Sequence, residues 1–385
     1  MSWSTVRADQ FCTLITDGTH DSPKPQQSGW KLITSKHLKG HYIDFDSANW
    51  ISEADYLKVI SRSAVEQWDI LFSMIGTIGN IYLEKNPHVE YACKNMGIFK
   101  FSGNKENALW MYYYLRSPQA KAYIQTHLRG STQAYVPLGG LREMPVPVPP
   151  QTVRNEIIAI LRPIDEKIEC NNAINDNLMQ QAVAIFKSWF VEYSPFDGIA
   201  PKEWKTVNLE KITALICRGI APKYSNNSNQ TVINQKCIRD HMIDLSQART
   251  HTPKVINEKW LRFGDLLINS TGDGTLGRTA QVWFQPQNIT VDSHVTIVRP
   301  AKENLIFYIG LWGILHEREI ECLHTGSTGQ TELPKERVKA LELHLPDNGT
   351  LDRFNTLIAP MAAAIVSKQN ENNKLATLRD ALLPK

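Results

Sequence analysis

Three glycines raise the first question of chemistry. Gly272, Gly274 and Gly277 in N-S-T-G-D-G-T-L-G-R (269–278) satisfy G-x-G-x-x-G directly after the apolar run Leu266-Leu267-Ile268. That pattern binds a dinucleotide only when its glycines open a helix whose N-terminus faces the pyrophosphate. Here it is followed by Thr279-Ala280-Gln281-Val282-Trp283-Phe284 and then Pro286. β-Branched and aromatic residues so close to a proline predict a strand–turn–strand hairpin and no cofactor. His37 and His41 have the spacing of two metal ligands on one helix face, but no third ligand accompanies them, and no metal is expected. Asp44 and Asp244 each follow an isoleucine, which suits a turn at a strand end more than a nuclease site. The chain has no G-x-x-x-x-G-K-[ST] loop, no H-E-x-x-H and no N-P-P-Y-type methyltransferase motif. No catalysis is expected.

Composition narrows the class. A chain of 385 residues suggests two or three domains, and 42% apolar residues is ordinary for a soluble protein. No run approaches the roughly 18 apolar residues of a membrane span. Cys12, Cys93, Cys170, Cys217, Cys237 and Cys322 lie far apart without C-x-x-C. That spacing argues against a disulfide framework and a structural zinc site, and points to a reducing cytoplasm. A net charge of +3 neither establishes nor excludes nucleic-acid binding.

An internal repeat is more informative. The segment from Trp3 matches that from Trp204, pairing Trp3, Thr5, Val6 and Gly18 with Trp204, Thr206, Val207 and Gly219. Residues 32–48 match 232–248, with Ile33, Lys36, His41, Ile43, Asp44 and Ala48 identical to their partners. W-D-I-L-F-S-M-I-G-T-I-G from Trp68 matches G-D-L-L-I-N-S-T-G-D-G-T-L-G from Gly264, where the insertion Asp273-Gly274 completes the glycine fingerprint. Those glycines therefore belong to a turn shared by two copies of one domain. Residues 130–150 pair with 326–346. Short helices are expected over Asn107–His127 and Leu305–His324, their aromatics read as core. The proline-rich stretch M-P-V-P-V-P-P is either an edge strand or an extended linker, with Thr152 as helix N-cap. Residues 193–201 read as the hinge into the second copy.

Each copy ends in a long helical pattern. Seam positions alternate by four and three at Ile157, Leu161, Ile164, Ile168, Asn171, Asn175, Leu178, Ala182, Ile185 and Trp189. Shifted by 197, the second seam reads Phe354, Ile358, Met361, Ile365, Lys368, Asn372, Leu375, Arg379 and Leu382. Asn175 and Asn372 share one repeat position; a seam asparagine costs stability but fixes register. Pro163 and Pro360 coincide too, each kinking its helix or marking where the straight part begins. The expected fold is α+β: two similar α/β units separated by two long antiparallel helices in a coiled-coil spacer, with a pseudo-two-fold internal repeat. Boundaries are expected at 1–150 (first unit), 151–193 (central helix), 194–347 (second unit) and 348–385 (C-terminal helix). Helices of about 38 residues would span roughly 57 Å, or at most about 17 bp of DNA.

The duplicated order resembles the specificity (S) subunit of Type I restriction–modification enzymes. It is carried by W-x-x-V, D-G-T-H-x-S-P-K (17–24), G-D-L-L with its glycines, G-S-T with P-V-P-P, and the seam helix. The resemblance implies two target recognition domains, each reading half of a bipartite target in double-stranded DNA. It also implies helices that set the gap and dock two methyltransferase (M) subunits, with motor-nuclease (R) subunits joining outside. Two departures stand out. C-R-G-I-A-P-K (217–223) replaces the D-G-T-H motif, and the chain stops at Leu383-Pro384-Lys385, so the second helix is expected to be incomplete. Expected DNA contacts are His20, Ser22, Lys24, Lys36, His37, Lys39, Ser131, Thr132 and Gln133 in the first copy. Those in the second are Lys223, Lys236, Arg239, Ser327, Thr328 and Gln330. The lysines and arginine suit phosphate or a guanine edge, and the short polar residues equally suit turn caps. A duplicated scaffold protein without DNA contact is the rival reading.

Overall fold

The structure, a computed structural model, describes residues 3–40, 42–252, 256–272, 274–326 and 331–384. It forms two compact units, Met1–Cys170 with Asn372–Lys385, and Asn171–Glu371. The first contains a four-stranded antiparallel sheet in the order Leu14–Asp17, Met96–Lys100, Ile70–Ser73, Ile81–Leu83. Ile70–Ser73 is buried throughout, which explains the apolar run Ile70-Leu71-Phe72 in place of an in–out alternation. A three-stranded sheet, ordered Asn49–Ile51, Trp30–Ile33, Tyr91–Cys93, has one parallel pair. The second unit has both orders again, in Thr213–Arg218, Val295–Pro300, Leu266–Asn269, Thr279–Gln281 and in Arg249–Thr250, Thr231–Ile233, Ile289–Val291. Each unit thus has the same mixed α/β plan.

The three-glycine segment joins Leu266–Asn269 to Thr279–Gln281 in an antiparallel hairpin. Gly272, Gly274 and Gly277 have φ of 95°, 68° and 88°, the left-handed region open to glycine. Pro145–Val148 is an edge strand paired with Ser4–Arg7. Outside that ladder, the carbonyl of Pro147 accepts from Trp110 Nε1 at 2.8 Å, and that of Pro145 accepts from the Tyr114 hydroxyl. The prolines donate nothing, and their carbonyls are satisfied by aromatic side chains.

Three helix boundaries differ from expectation. Asn107–His127 is two helices, Lys105–Leu115 and Pro118–Thr126, because Ser117 caps a new helix with proline in its first turn. Leu305–His324 likewise divides into Ile306–Leu315 and Glu317–Cys322. The central helix starts at Gln151, so Thr152 lies inside it. The expected hinge at 193–201 is packed: Tyr193 and Phe196 lie 6.0 and 5.2 Å from the Trp204 ring. The helix Glu53–Ser63, capped by Ser52, belongs to the first unit; a single turn, Asn257–Lys259, stands at the repeat-equivalent place in the second.

Both long helices, Gln151–Phe190 and Asn348–Leu382, run through their prolines and contribute to both units. In the first unit Ile158, Leu161 and Asp165 are buried, while Ile157, Ile164 and Ile168 are half-buried. In the second unit Asn171, Asn175, Ala182, Phe186 and Phe190 are buried, with Leu178, Ile185 and Trp189 half-buried. Burial at 158, 165, 186 and 190 falls one residue beyond the heptad positions. A strict 3.5 repeat describes a two-helix seam, whereas a helix that also packs on a globular core buries a wider face at 3.6 residues per turn. On the C-terminal helix, Phe354, Ile358 and Ile365 are buried, and Met361, Asn372 and Leu375 half-buried. Leu382 is corrected: it is 43% exposed, and Leu383 enters the core of the first unit instead.

Within the second unit the helix segments are antiparallel. Phe186 and Phe190 pack on Phe354 at 6.0 and 4.8 Å, and Asn171 Nδ2 donates to Glu371 Oε2 at 2.9 Å. In the first unit Asp165 accepts from Arg379 at 3.0 Å and from Arg116 at 2.8 Å. That ion triad joins both long helices to the globular part. Its repeat-equivalents on the helices of the second unit are Ala362 and Ala182, both buried.

Candidate nucleic-acid interface

Strand register decides where the expected contacts emerge. In the first unit Asp17 pairs with Gly97 and Ser73 with Met96, so the loops at 18–24, 74–79 and 94–95 leave one end of the sheet. Lys94 N donates to Ile33 O, bringing the turn Ser35–His37 to that end. The bridge between Ile75 and Tyr135 brings the 129–135 loop there as well. The second unit repeats the arrangement. Arg218 pairs with Thr296 and Asn269 with Val295, Asp292 N donates to Ile233 O, and Thr271 bridges Glu332. In each unit, segments far apart in sequence meet at one sheet end.

Most expected contacts of the first unit are presented there. Lys24, Lys36, Ser131, Thr132 and Gln133 are exposed. His20 is exposed but anchored, Nε2 lying 2.9 Å from Asp17 Oδ2 and Nδ1 2.8 Å from Asn95 Oδ1. Ser22 accepts from Lys94, and Lys39 lies 3.9 Å from Asp44. Asp44 is a turn residue: it accepts from Ser47 N and Oγ, and the Ser47 hydroxyl holds its carboxyl below the usual range. His37 is corrected. It is 2% exposed, its Nδ1 accepts from Thr34 N at 2.9 Å, and burial, then Lys36, lowers its pKa. A neutral, buried imidazole that closes a turn is not a DNA contact.

In the second unit Lys223, Lys236 and Arg239 are exposed. Ser327, Thr328 and Gln330 lie outside the described residues. At that sheet end of the second unit is a polar cluster with no sequence motif of its own. Gln235 Nε2 donates to Thr271 O, His294 Nδ1 lies 2.8 Å from Thr271 Oγ1, and Arg218 donates to Glu332 Oε1 at 3.0 Å. Arg218 stands where the first unit has Asp17, so equivalent strands end in opposite charges. Cations also lie over aromatic rings, half-buried Lys31 3.9 Å from Trp50 and exposed Arg249 3.6 Å from Tyr224. Single sequence signals for these pairs are lacking, since each joins residues from segments separated in the chain.

The opposite end of each sheet carries a repeated ion pair with a buried aspartate. Lys100 Nζ is 2.8 Å from Asp69 Oδ2, and Arg299 binds both oxygens of Asp265 at 2.7 and 2.8 Å. Each aspartate also accepts a backbone N–H, from Glu66 and Arg262. Burial raises the Asp69 pKa, against the pull of Lys100. These aspartates lie in the W-D-I-L and G-D-L-L matches, a signal legible as repeat but not as an ion pair. Among the described residues no group of three or more His, Cys, Asp or Glu could hold a metal ion. No helix there is long and apolar enough to cross a membrane.

Residues 3–180 match the family model described as the Type I restriction modification DNA specificity domain. The MjaIX specificity subunit of Methanocaldococcus jannaschii is 24% identical over 382 residues, covering 92% of this chain and 84% of the relative. The HindI specificity subunit of Haemophilus influenzae is 25% identical over 177 residues, 45% of this chain and 39% of the relative. A crystal structure of a Type I restriction–modification S subunit from M. genitalium matches with a TM-score of 0.51 at 13% identity, over 100% of this chain and 95% of that one. That structural likeness concerns the fold.

Proposed function

We propose that the chain is a non-catalytic specificity subunit of a Type I restriction–modification system, and that each unit reads one half of a bipartite target in double-stranded DNA. The match of residues 3–180 to the family model and the likeness to a specificity subunit over 92% of the chain support this. The observation that carries this reading is the gathering of polar and basic loops at one sheet end, twice, at repeat-equivalent positions. Lys24, Lys36, Lys223, Lys236 and Arg239 would hold phosphate or guanine edges; Ser131, Thr132 and Gln133, with Ser327, Thr328 and Gln330, would meet base edges. The long helices would set the gap and dock two methyltransferase subunits, with motor-nuclease subunits joining outside. A net charge of +3 leaves little surplus to neutralise phosphate, so selective binding should need the methyltransferase partner and fall steeply with salt.

The test is a change of ruler. Inserting one heptad into each helix, after Asn175 and after Asn372, adds about 10.5 Å, or roughly three base pairs. Methylation mapping should find the same two half-sites at the wider spacing. Recognition at the original spacing would exclude the helices as the ruler. A complex that selects no DNA would favour a duplicated scaffold instead.

A further inference from the structure

Two basic residues outside the expected contacts sit where the candidate loops begin. Arg62, in the last turn of Glu53–Ser63, donates to the carbonyls of Gly18 (2.9 Å) and Asp17 (3.0 Å) and to Asp17 Oδ1 (3.2 Å). Lys259, in the turn Asn257–Lys259, donates Nζ to the Gly219 carbonyl at 3.0 Å. They are 197 residues apart, between stretches matched at offsets of 200 (32–48 with 232–248) and 196 (Trp68 with Gly264), and one is carried by a helix, the other by a single turn.

The two glycines are equivalent in structure as well as in sequence. Gly18 N donates to Met96 O and Thr19 N to Cys93 O; Gly219 N donates to Val295 O and Ile220 N to Val291 O. A Cβ would lie 2.3 Å from Cys93 O at Gly18 and 2.1 Å from Val291 O at Gly219, so neither position admits a side chain. The chain is thus pinned against a neighbouring strand end just before the loop departs. Two different backbones deliver a cation to one equivalent carbonyl, which ties the contact to the loop beyond the glycine and not to the element that supplies the cation.

We propose that Arg62 and Lys259 are positioning residues, each clamping the exit of its own unit's loop (19–24 and 220–223) and thereby governing recognition of one half-site. The half-site role rests on the DNA reading proposed above. A charged donor on a carbonyl is stronger than a neutral one, but the Arg62 side chain is 57% exposed, so solvent screening moderates its effect.

The experiment uses the full chain, alone and with its methyltransferase partner, carrying Arg62→Met or Lys259→Met and the conservative Arg62→Lys or Lys259→Arg. Without DNA, amide exchange over 19–24 should quicken roughly fivefold in Arg62→Met, and over 220–223 in Lys259→Met, with the conservative variants near parental. With the partner, the preference for the parental target over DNA scrambled in one half should fall about tenfold, for one half in Arg62→Met and for the other in Lys259→Met. Arg62→Gln and Lys259→Gln, which keep a neutral donor, replace any methionine variant that does not fold. Unchanged exchange would overturn the clamp. Faster exchange with both preferences intact would reduce the pair to braces of the fold. If the unsubstituted complex shows no preference, the DNA reading and the half-site role fall together, while exchange still decides the clamp.

Discussion

At the scale of the residue, buried charge separates support from contact. Arg299 and Asp265 are almost wholly inside the second unit, joined by two short bonds. Asp265→Ala leaves a buried guanidinium without its partner and should cost about 3–5 kcal/mol in urea unfolding, whereas Asp265→Leu with Arg299→Met should recover most of that. A parental unfolding curve for Asp265→Ala would contradict the geometry. His241 supplies a pH test. Burial lowers its pKa, but Glu317, 3.2 Å away, more than offsets this and raises it above the ordinary 6.5. A raised histidine stabilises fully below its unfolded pKa and loses that contribution as pH rises through the folded one. The second unit should therefore unfold at lower urea at pH 8.5 than at pH 6, and Glu317→Gln should flatten the difference. A profile that Glu317→Gln leaves unchanged would mean the pair does not form.

At the scale of the element, the helices carry their polar residues unequally. Asn171 is buried but bonded to Glu371, with Lys368 Nζ 3.5 Å from its carbonyl oxygen. Asn175 is 6% exposed, and its Oδ1 accepts no hydrogen bond among the described residues. An unsatisfied buried amide costs about 1–3 kcal/mol, so Asn175→Leu should raise the melting temperature by roughly 2–4 °C at some loss of register specificity. Asn372, half-buried, should give less. A lower melting point for Asn175→Leu, without a new assembly state, would show that the amide is satisfied in solution. Sequence periodicity found these helices to within a few residues, because a stripe repeated over ten turns outweighs local noise. It placed part of the stripe one residue early, because the globular face each helix also covers has no periodic signature of its own.

At the scale of the whole molecule, the repeat predicts what half of it does. A fragment of residues 1 to about 194 lacks the second core, on which Leu178, Ala182, Ile185, Phe186, Trp189 and Phe190 pack, and so uncovers an apolar stripe too long to leave in water. We expect a homodimer that, with the methyltransferase partner, recognises an inverted repeat of the first half-site. Asn171 and Lys368 are repeat-equivalent and adjacent, so residue 171 should face its own copy in that dimer. The fragment lacks Arg379, the partner of Asp165, and position 182 of the second copy should take its place. Ala182→Arg should therefore strengthen the fragment dimer yet destabilise the full chain, where Ala182 is wholly buried. Light scattering and thermal melting measure both. A folded monomeric fragment, or the same sign of effect in both contexts, would count against the symmetry.

Sequence alone determined the duplication, the long helices and the hairpin reading of the three glycines. Each rests on local chemistry or on a period, and both survive in one dimension. His37 and Lys36 show where that stops: adjacent in the chain and alike in polarity, one closes a turn in the interior and the other faces solvent. Arg62, Lys259 and the Asp265–Arg299 pair were equally invisible as partners, although Ser52 and Asp55 mark the start of the helix that carries Arg62. Their partners lie 34 to 45 residues away, and no spacing rule links them. Only strand register brings those segments together, because a register is a property of two strands and of the core between them.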